Sequence, residues 1–145
     1  MLKNISLIII VLLLVTSCKN TNSKQDLAIN NTQDPELKSS IQRGKTVYSD
    51  FCVSCHMPNG KGVPKAFPPL AKSDFLKNNQ EKSIHAIKYG LTGKITVNGI
   101  TYNSAMVPLG LSDSEIADVM NYINNAWGNN ISNIVTTEKV SKIQR

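Results

Sequence analysis

The pentapeptide Cys52-Val53-Ser54-Cys55-His56 constrains this chain more than any other feature. Two thiols three positions apart, with an imidazole on the next residue, form the attachment pattern of a c-type haem. The thiols reach the two vinyl groups of one porphyrin and form thioethers, and the histidine that follows projects its ring at the iron as proximal ligand. Other uses of the pattern fit worse. A thioredoxin-like redox motif wants a preceding strand and a βαβ pattern, and neither is evident around residue 52. A zinc site needs four ligands. Downstream of the leader the chain offers only Cys52, Cys55, His56 and His85, with two of them adjacent.

The pattern of helices and loops also asks for a non-protein filler. Asp34-Pro35 is a helix start, with Asp as N-cap and Pro in the first turn. Leu37, Ile41, Val47, Tyr48 and Phe51 then fall close to one helical face. Residues 79–89 form a second helix, with Ile84, His85 and Ile87 inside and Gly90 as its stop. Residues 94–102 form a small hairpin around Asn98-Gly99, a pair that suits a tight turn between β-branched residues. Ser112-Asp113-Ser114-Glu115 is a capping box opening the clearest helix. That helix has an apolar stripe of Ile116, Val119, Met120, Ile123 and Trp127, with Gly128 ending it. A short tail helix is expected over 137–144. Residues 57–72 are irregular and hold four prolines. So much loop around so little core implies that one covalently bound haem c fills the centre.

The N-terminus carries an export signal. A short basic start at Lys3 is followed by an apolar run from Ile5 to Val15, too short for a membrane span, which needs about 20 residues. Val15-Thr16-Ser17-Cys18 resembles a bacterial lipobox, which makes Cys18 the lipidation candidate. Residues 1–17 then form a lipoprotein signal peptide and 18–34 a lipid-anchored flexible linker. Polar and poor in large apolar side chains, the linker buries too little to offset its ordering entropy. Its sixteen residues from 19 to 34 span about 20–25 Å as a coil. The expected domain runs from 35 to 130, and 131–145 form a C-terminal tail.

The region from 40 to 128 resembles the class I cytochromes c. Gly44 and Tyr48 precede Cys52 as the glycine and aromatic residue of that family's first helix do, and Val119 and Tyr122 are similar to its apolar–aromatic pair on the last helix. Pro68-Pro69-Leu70 resembles the segment whose backbone carbonyl accepts the proximal histidine's Nδ1 hydrogen bond, and the likeness places that carbonyl on Pro68. Asn59-Gly60-Lys61-Gly62-Val63-Pro64, the Asn-Gly hairpin and Ala126-Trp127-Gly128 resemble a bacterial subgroup of small carriers and of modules associated with copper nitrite reductases and dehydrogenases. The resemblance implies a small all-α fold, its helices packed around one haem, with a short hairpin excursion. It also implies an axial methionine in a loop near a proline. Met57 is too close to His56 to cross the ring, and Met120 sits on the last helix's stripe. Met106, two residues before Pro108, is the sixth-ligand candidate, and His85 is its rival.

A six-coordinate iron leaves no open position for substrate, so the expected function is one-electron transfer and not enzymatic catalysis. The alternatives are a haem subunit bound permanently to an oxidase, nitrite reductase or dehydrogenase, and an open-site haem used for sensing or peroxide reduction. The composition, 41% hydrophobic and 18% charged, excludes collagen-like, coiled-coil and wholly disordered chains. From residue 41 to 94 there are nine basic and three acidic residues, whereas 95 to 128 holds three acidic and no basic ones. Lys61 and Lys65 are candidates for a basic rim, and a weakly docking acidic redox protein or membrane oxidoreductase is the expected partner. Nucleic acid is not expected, and a monomer is. The expected location is a lipid-anchored position facing the periplasm of a Gram-negative bacterium.

Overall fold

The computed structural model describes residues 34–145. The signal segment 1–17, Cys18 and the linker up to residue 33 lie outside the described residues. Within them the chain forms α1 (Pro35–Phe51), α2 (Val53–His56), α3 (Asp74–Asn78), α4 (Gln80–Tyr89), β1 (Ile95–Val97), β2 (Ile100–Tyr102), α5 (Asp113–Asn125) and α6 (Thr137–Ser141). The fold is thus mostly helical with one small hairpin.

The pairing of α1 with α5 frames the molecule. Asp34 caps α1 by accepting the Glu36 amide at 2.9 Å, and Pro35 occupies the first turn. A complete capping box opens α5: the Ser112 hydroxyl accepts the Glu115 amide, and the Glu115 carboxylate accepts the Ser112 amide. These hydrogen bonds hold the Glu115 carboxyl below its usual pKa. The face of α1 that meets α5 is Leu37, Ser40, Gly44 and Tyr48. The expected stripe is therefore rotated: Ile41 and Val47 are only half-buried and Phe51 is 45% exposed. The reason is the closeness of the crossing. A Cβ on Gly44 would lie 1.9 Å from the Asp118 carbonyl oxygen, so the contact is centred on the smallest residue and not on the largest ones.

Charge and amide groups tie the same crossing together. Arg43 grips Asp118 with two N–H groups, at 2.6 and 2.8 Å, and Ser40 donates to the same carboxylate at 2.7 Å. A two-pronged contact of this kind fixes orientation as well as distance. Asn121 donates to Ser40 and also pairs with both backbone groups of Val135, at 2.9 Å each. Val135 and Val140 are buried in the main core, so the C-terminal segment is packed against α5. Its helix is shorter than expected and ends at Ser141.

Two other expectations shift. Helix α5 stops at Asn125, Ala126 is extended, and Trp127 takes a left-handed backbone with φ 53°. Trp127 is therefore not part of the helical stripe: its indole turns back onto Tyr48, ring centroids 4.9 Å apart. Helix α3 was not evident in the sequence. The Ser73 hydroxyl caps it by accepting the Leu76 amide, and its five residues bury only Leu76. The hairpin forms as expected, with Ile95 opposite Tyr102 and Asn98-Gly99 at the turn, both at positive φ. Asp74 and Asn98 exchange two backbone–side-chain hydrogen bonds, at 2.7 and 3.0 Å, which pin the turn to α3.

Gly44→Ala is expected to destabilise the fold by at least the ~1–3 kcal/mol of core overpacking, because backbone and not a flexible side chain lies in the way. Thermal unfolding should show a loss of about 10 °C or more. Lys45→Ala on the exposed side of α1 is the control and should change the midpoint little.

Candidate functional site

An apolar cleft lies between the α1–α2 junction, the proline-containing loop, α4, the hairpin and the Met106 segment. It has two lobes that share Cys52, His56, Pro68, Leu91, Ile95 and Met106. The inner lobe continues to Leu76, Ile87, Met120 and Ile123. The outer lobe opens between Phe51, Cys55 and Val107.

Helix α2 is a single turn, and it brings the motif together. The amides of Cys55 and His56 both donate to the Cys52 carbonyl, at 3.2 and 2.9 Å, so both thiols and the imidazole are set by one stretch of backbone. Cys52 is buried, and that burial, with a smaller contribution from Cys55, pushes its thiol pKa up to about 11. Cys55 is half-buried beside the outer lobe.

His56 Nδ1 lies 3.0 Å from the Pro68 carbonyl oxygen. A carbonyl only accepts, so Nδ1 carries the proton and Nε2 keeps its lone pair. Burial lowers the His56 pKa, and the Pro68 hydrogen bond opposes that shift in part. Burial favours the neutral ring and the Pro68 contact orients it, and a neutral, oriented imidazole is the form in which histidine binds a metal.

The loop that carries Pro68 is knitted to itself. Gly62 donates to the His56 carbonyl, and Leu70 and Ala71 both donate to Gly60, at 2.7 and 2.8 Å. A Cβ on Gly62 would come within 2.6 Å of the Pro68 carbonyl oxygen, so glycine there lets the loop fold tightly under the histidine. Tyr48 OH donates to the Met57 carbonyl at 2.7 Å and Trp127 Nε1 to the Pro58 carbonyl at 3.1 Å. Trp127 also lies against Gly60, where a Cβ would meet the ring at 2.4 Å. Desolvation raises the pKa of Tyr48, and its neutral hydroxyl is the donor this contact needs.

Met106 is held by its backbone. It pairs with Leu91 through two main-chain hydrogen bonds of 2.8 Å each. Its side chain is half-buried and borders both lobes. The other methionines are placed differently. Met57 is exposed and borders neither lobe, while Met120 is fully buried in the core and borders only the inner one. His85 is half-buried, not inside, and packs edge-on against Tyr89 with ring centroids 5.1 Å apart. Of the three residues expected inside, Ile84 and Ile87 are buried and His85 is not, and the positions of α4 that line the cleft are Ser83, Ala86 and Ile87.

Cys52, His56, Pro68 and Met106 are therefore gathered around one cleft, Cys55 stands at its outer edge, and His85 stays away from it. Leu91, the main-chain partner of Met106, was not singled out from sequence. Two thiols on one helical turn, an imidazole held through Nδ1 by the Pro68 carbonyl, a thioether and a nearly all-apolar lining fit a covalently attached porphyrin iron.

Comparison with known proteins agrees with this chemistry. The family model described as Cytochrome c matches residues 41–127. The chain is similar to cytochrome c-552 of Thermus thermophilus, with 43% identity over 90 residues, which is 59% of this chain and 68% of that protein. It is also similar to the alcohol dehydrogenase (quinone), cytochrome c subunit, of Gluconobacter oxydans, with 31% identity over 105 residues, or 70% of this chain and 22% of that subunit. A third likeness is to the Cbb3-type cytochrome c oxidase subunit FixP of Bradyrhizobium diazoefficiens, with 30% identity over 102 residues, 66% of this chain and 34% of that subunit. The chain thus spans only a fraction of the length of the two subunits. Among the described residues, no helix is long and apolar enough to cross a membrane.

Proposed function

Because the chain belongs to the cytochrome c family, whose members carry covalently attached haem c and transfer single electrons, we propose that Cys52 and Cys55 attach the haem, that His56 and Met106 are its axial ligands, and that the protein is an exported, lipid-anchored electron carrier. The observation that carries this reading is the meeting of His56 and Met106 at one apolar cleft, each held by a backbone contact of its own. The bound haem would supply a one-electron Fe(III)/Fe(II) couple.

The chain's own residues account for the rest. Pro68 fixes the His56 ring and its tautomer. Leu91 holds the Met106 backbone beside the cleft, and a thioether there favours ferrous iron and raises the potential. A haem held by both His56 and Met106 would offer a substrate no open site, which sets a carrier apart from an open-site sensor or peroxidase.

Anchoring is supported by Val15-Thr16-Ser17-Cys18 and by the polar linker that follows. Export of a haem protein with such a signal fits the periplasmic face of a Gram-negative envelope. Lys61 and Lys65 are exposed on the loop that follows the motif and suit an acidic redox partner. The likeness to dehydrogenase and oxidase subunits supports a membrane oxidoreductase as that partner and gives ground for a second reading, a bound haem subunit. Copurification with such an enzyme at high salt would favour the second reading over a freely exchanging carrier.

Met106→Ala should keep covalent haem, abolish the weak near-infrared band of a methionine–iron bond, and lower the potential by at least ~100 mV, the scale on which axial ligands act. His85→Ala should do none of this. A Met106→Ala protein with the parent's spectrum and potential would refute the ligand assignment. Cys18→Ala should move the protein from the membrane to the soluble fraction with its haem spectrum intact, and unchanged membrane association would exclude the lipid anchor. Replacing Lys61 and Lys65 by Glu should slow electron exchange with the partner at low salt, and the difference should shrink near 0.5 M as charges are screened at about 3–5 Å. Equal rates at low salt would place docking elsewhere.

A further inference from the structure

The geometry points to a positioning role for residues 131–145: by holding both ends of α4, the C-terminal segment keeps Met106 at the cleft. This rests on the reading of Met106 as the sixth ligand.

Helix α4 connects directly to the ligand segment. It ends at Gly90, φ 86°, and the next residue is Leu91, which exchanges both main-chain hydrogen bonds with Met106. Gly90 itself lies so close that a Cβ there would sit 2.7 Å from the Met106 carbonyl oxygen and 3.0 Å from Pro108 Cδ. Met106 is thus carried on the end of α4, and any drift of that end is passed to it through two short hydrogen bonds and a tight contact.

The tail grips α4 at each end. At the start of the helix, Gln80 donates to the Asn133 carbonyl at 2.8 Å, and Lys139 donates to the Gln80 side-chain oxygen. At the finish, Lys88 donates to the Val140 carbonyl at 2.9 Å and Tyr89 OH to the Ile143 carbonyl at 3.0 Å. The tail is in turn fixed to α5 through the paired contact of Asn121 with Val135, and Val140 is fully buried. Helix α4 also meets α5 directly through the Lys88–Asp113 ion pair at 3.0 Å, so load reaches α4 from α5 both by that pair and through the tail, and passes from α4 through Leu91 to Met106. The match to the family model stops at residue 127, so the clamp lies in the part of the chain beyond it.

A ligand that competes with Met106 measures the effect. Added imidazole binds only where the methionine has left the iron, so its apparent affinity rises with that fraction. In the full-length holoprotein, Tyr89→Phe with Lys139→Ala cuts one tail bond at each end of α4 and keeps the Tyr89 ring packing and the Lys88–Asp113 ion pair. The double variant should bind imidazole about tenfold more tightly, which is ~1.4 kcal/mol, with covalent haem unchanged and the near-infrared band lost at lower imidazole. Lys142→Ala, whose side chain pairs with Glu138 inside the tail, should match the parent. Arg43→Ala, whose side chain bonds Asp118 at the α1–α5 crossing, should lower thermal stability while leaving imidazole affinity unchanged. The clamp is overturned if the double variant binds imidazole as the parent does, or if Arg43→Ala shifts the affinity as far. A parent protein with no methionine–iron band would overturn the ligand assignment, and this inference with it.

Discussion

The close approach of Gly44 to the backbone of Asp118 sets the positions of much of the rest. With α1 and α5 that near, Tyr48 reaches Tyr122 and Trp127, at 5.4 and 4.9 Å between rings. Those aromatics hold the loop after His56 through the carbonyls of Met57 and Pro58. The loop in turn delivers the Pro68 carbonyl to His56. A larger residue at 44 would separate the helices, and each of these contacts would lengthen in sequence. The Arg43–Asp118 contact beside the glycine adds directional hold to a crossing that dispersion alone would leave free to slide.

Local chemistry was the part of the fold most legible in the sequence. The Asp34-Pro35 start, the Ser112–Glu115 box and the Asn98-Gly99 turn each depend on hydrogen bonds or dihedral angles within four residues, so neighbours in sequence are enough to specify them. The buried face of α1 was harder to read because apolar periodicity identifies large side chains, whereas this contact is made through the absence of one. Helix α3 is too short to show a period. Trp127 continues the α5 stripe in sequence spacing, but the left-handed turn at that residue removes it from the helix.

The site divides along the same line. Cys52, Cys55 and His56 are legible because one helical turn presents them together. The Pro68 contact depended on family resemblance, and the structure has the two groups at hydrogen-bond distance. The pairing of Leu91 with Met106 carries no side-chain signature, since it is made by backbone atoms of two distant segments. The tail is a similar case. Its Asn- and Ser-rich beginning reads as a loose end, yet Val135 and Val140 complete the core because a buried amide on α5 recognises the peptide groups on either side of Val135.

Helix α1 also works as a ruler. It enters the fold at Asp34, beside Ile134, Val135 and Thr136 of the C-terminal segment, and leaves at the mouth of the cleft beside Phe51 and Cys55. Its seventeen residues set those two points about 25 Å apart at the rise of an α-helix. Residue 34 therefore stands a helix length from the apolar opening, so a protein that covers that opening need not touch the start of α1 or the C-terminal residues beside it.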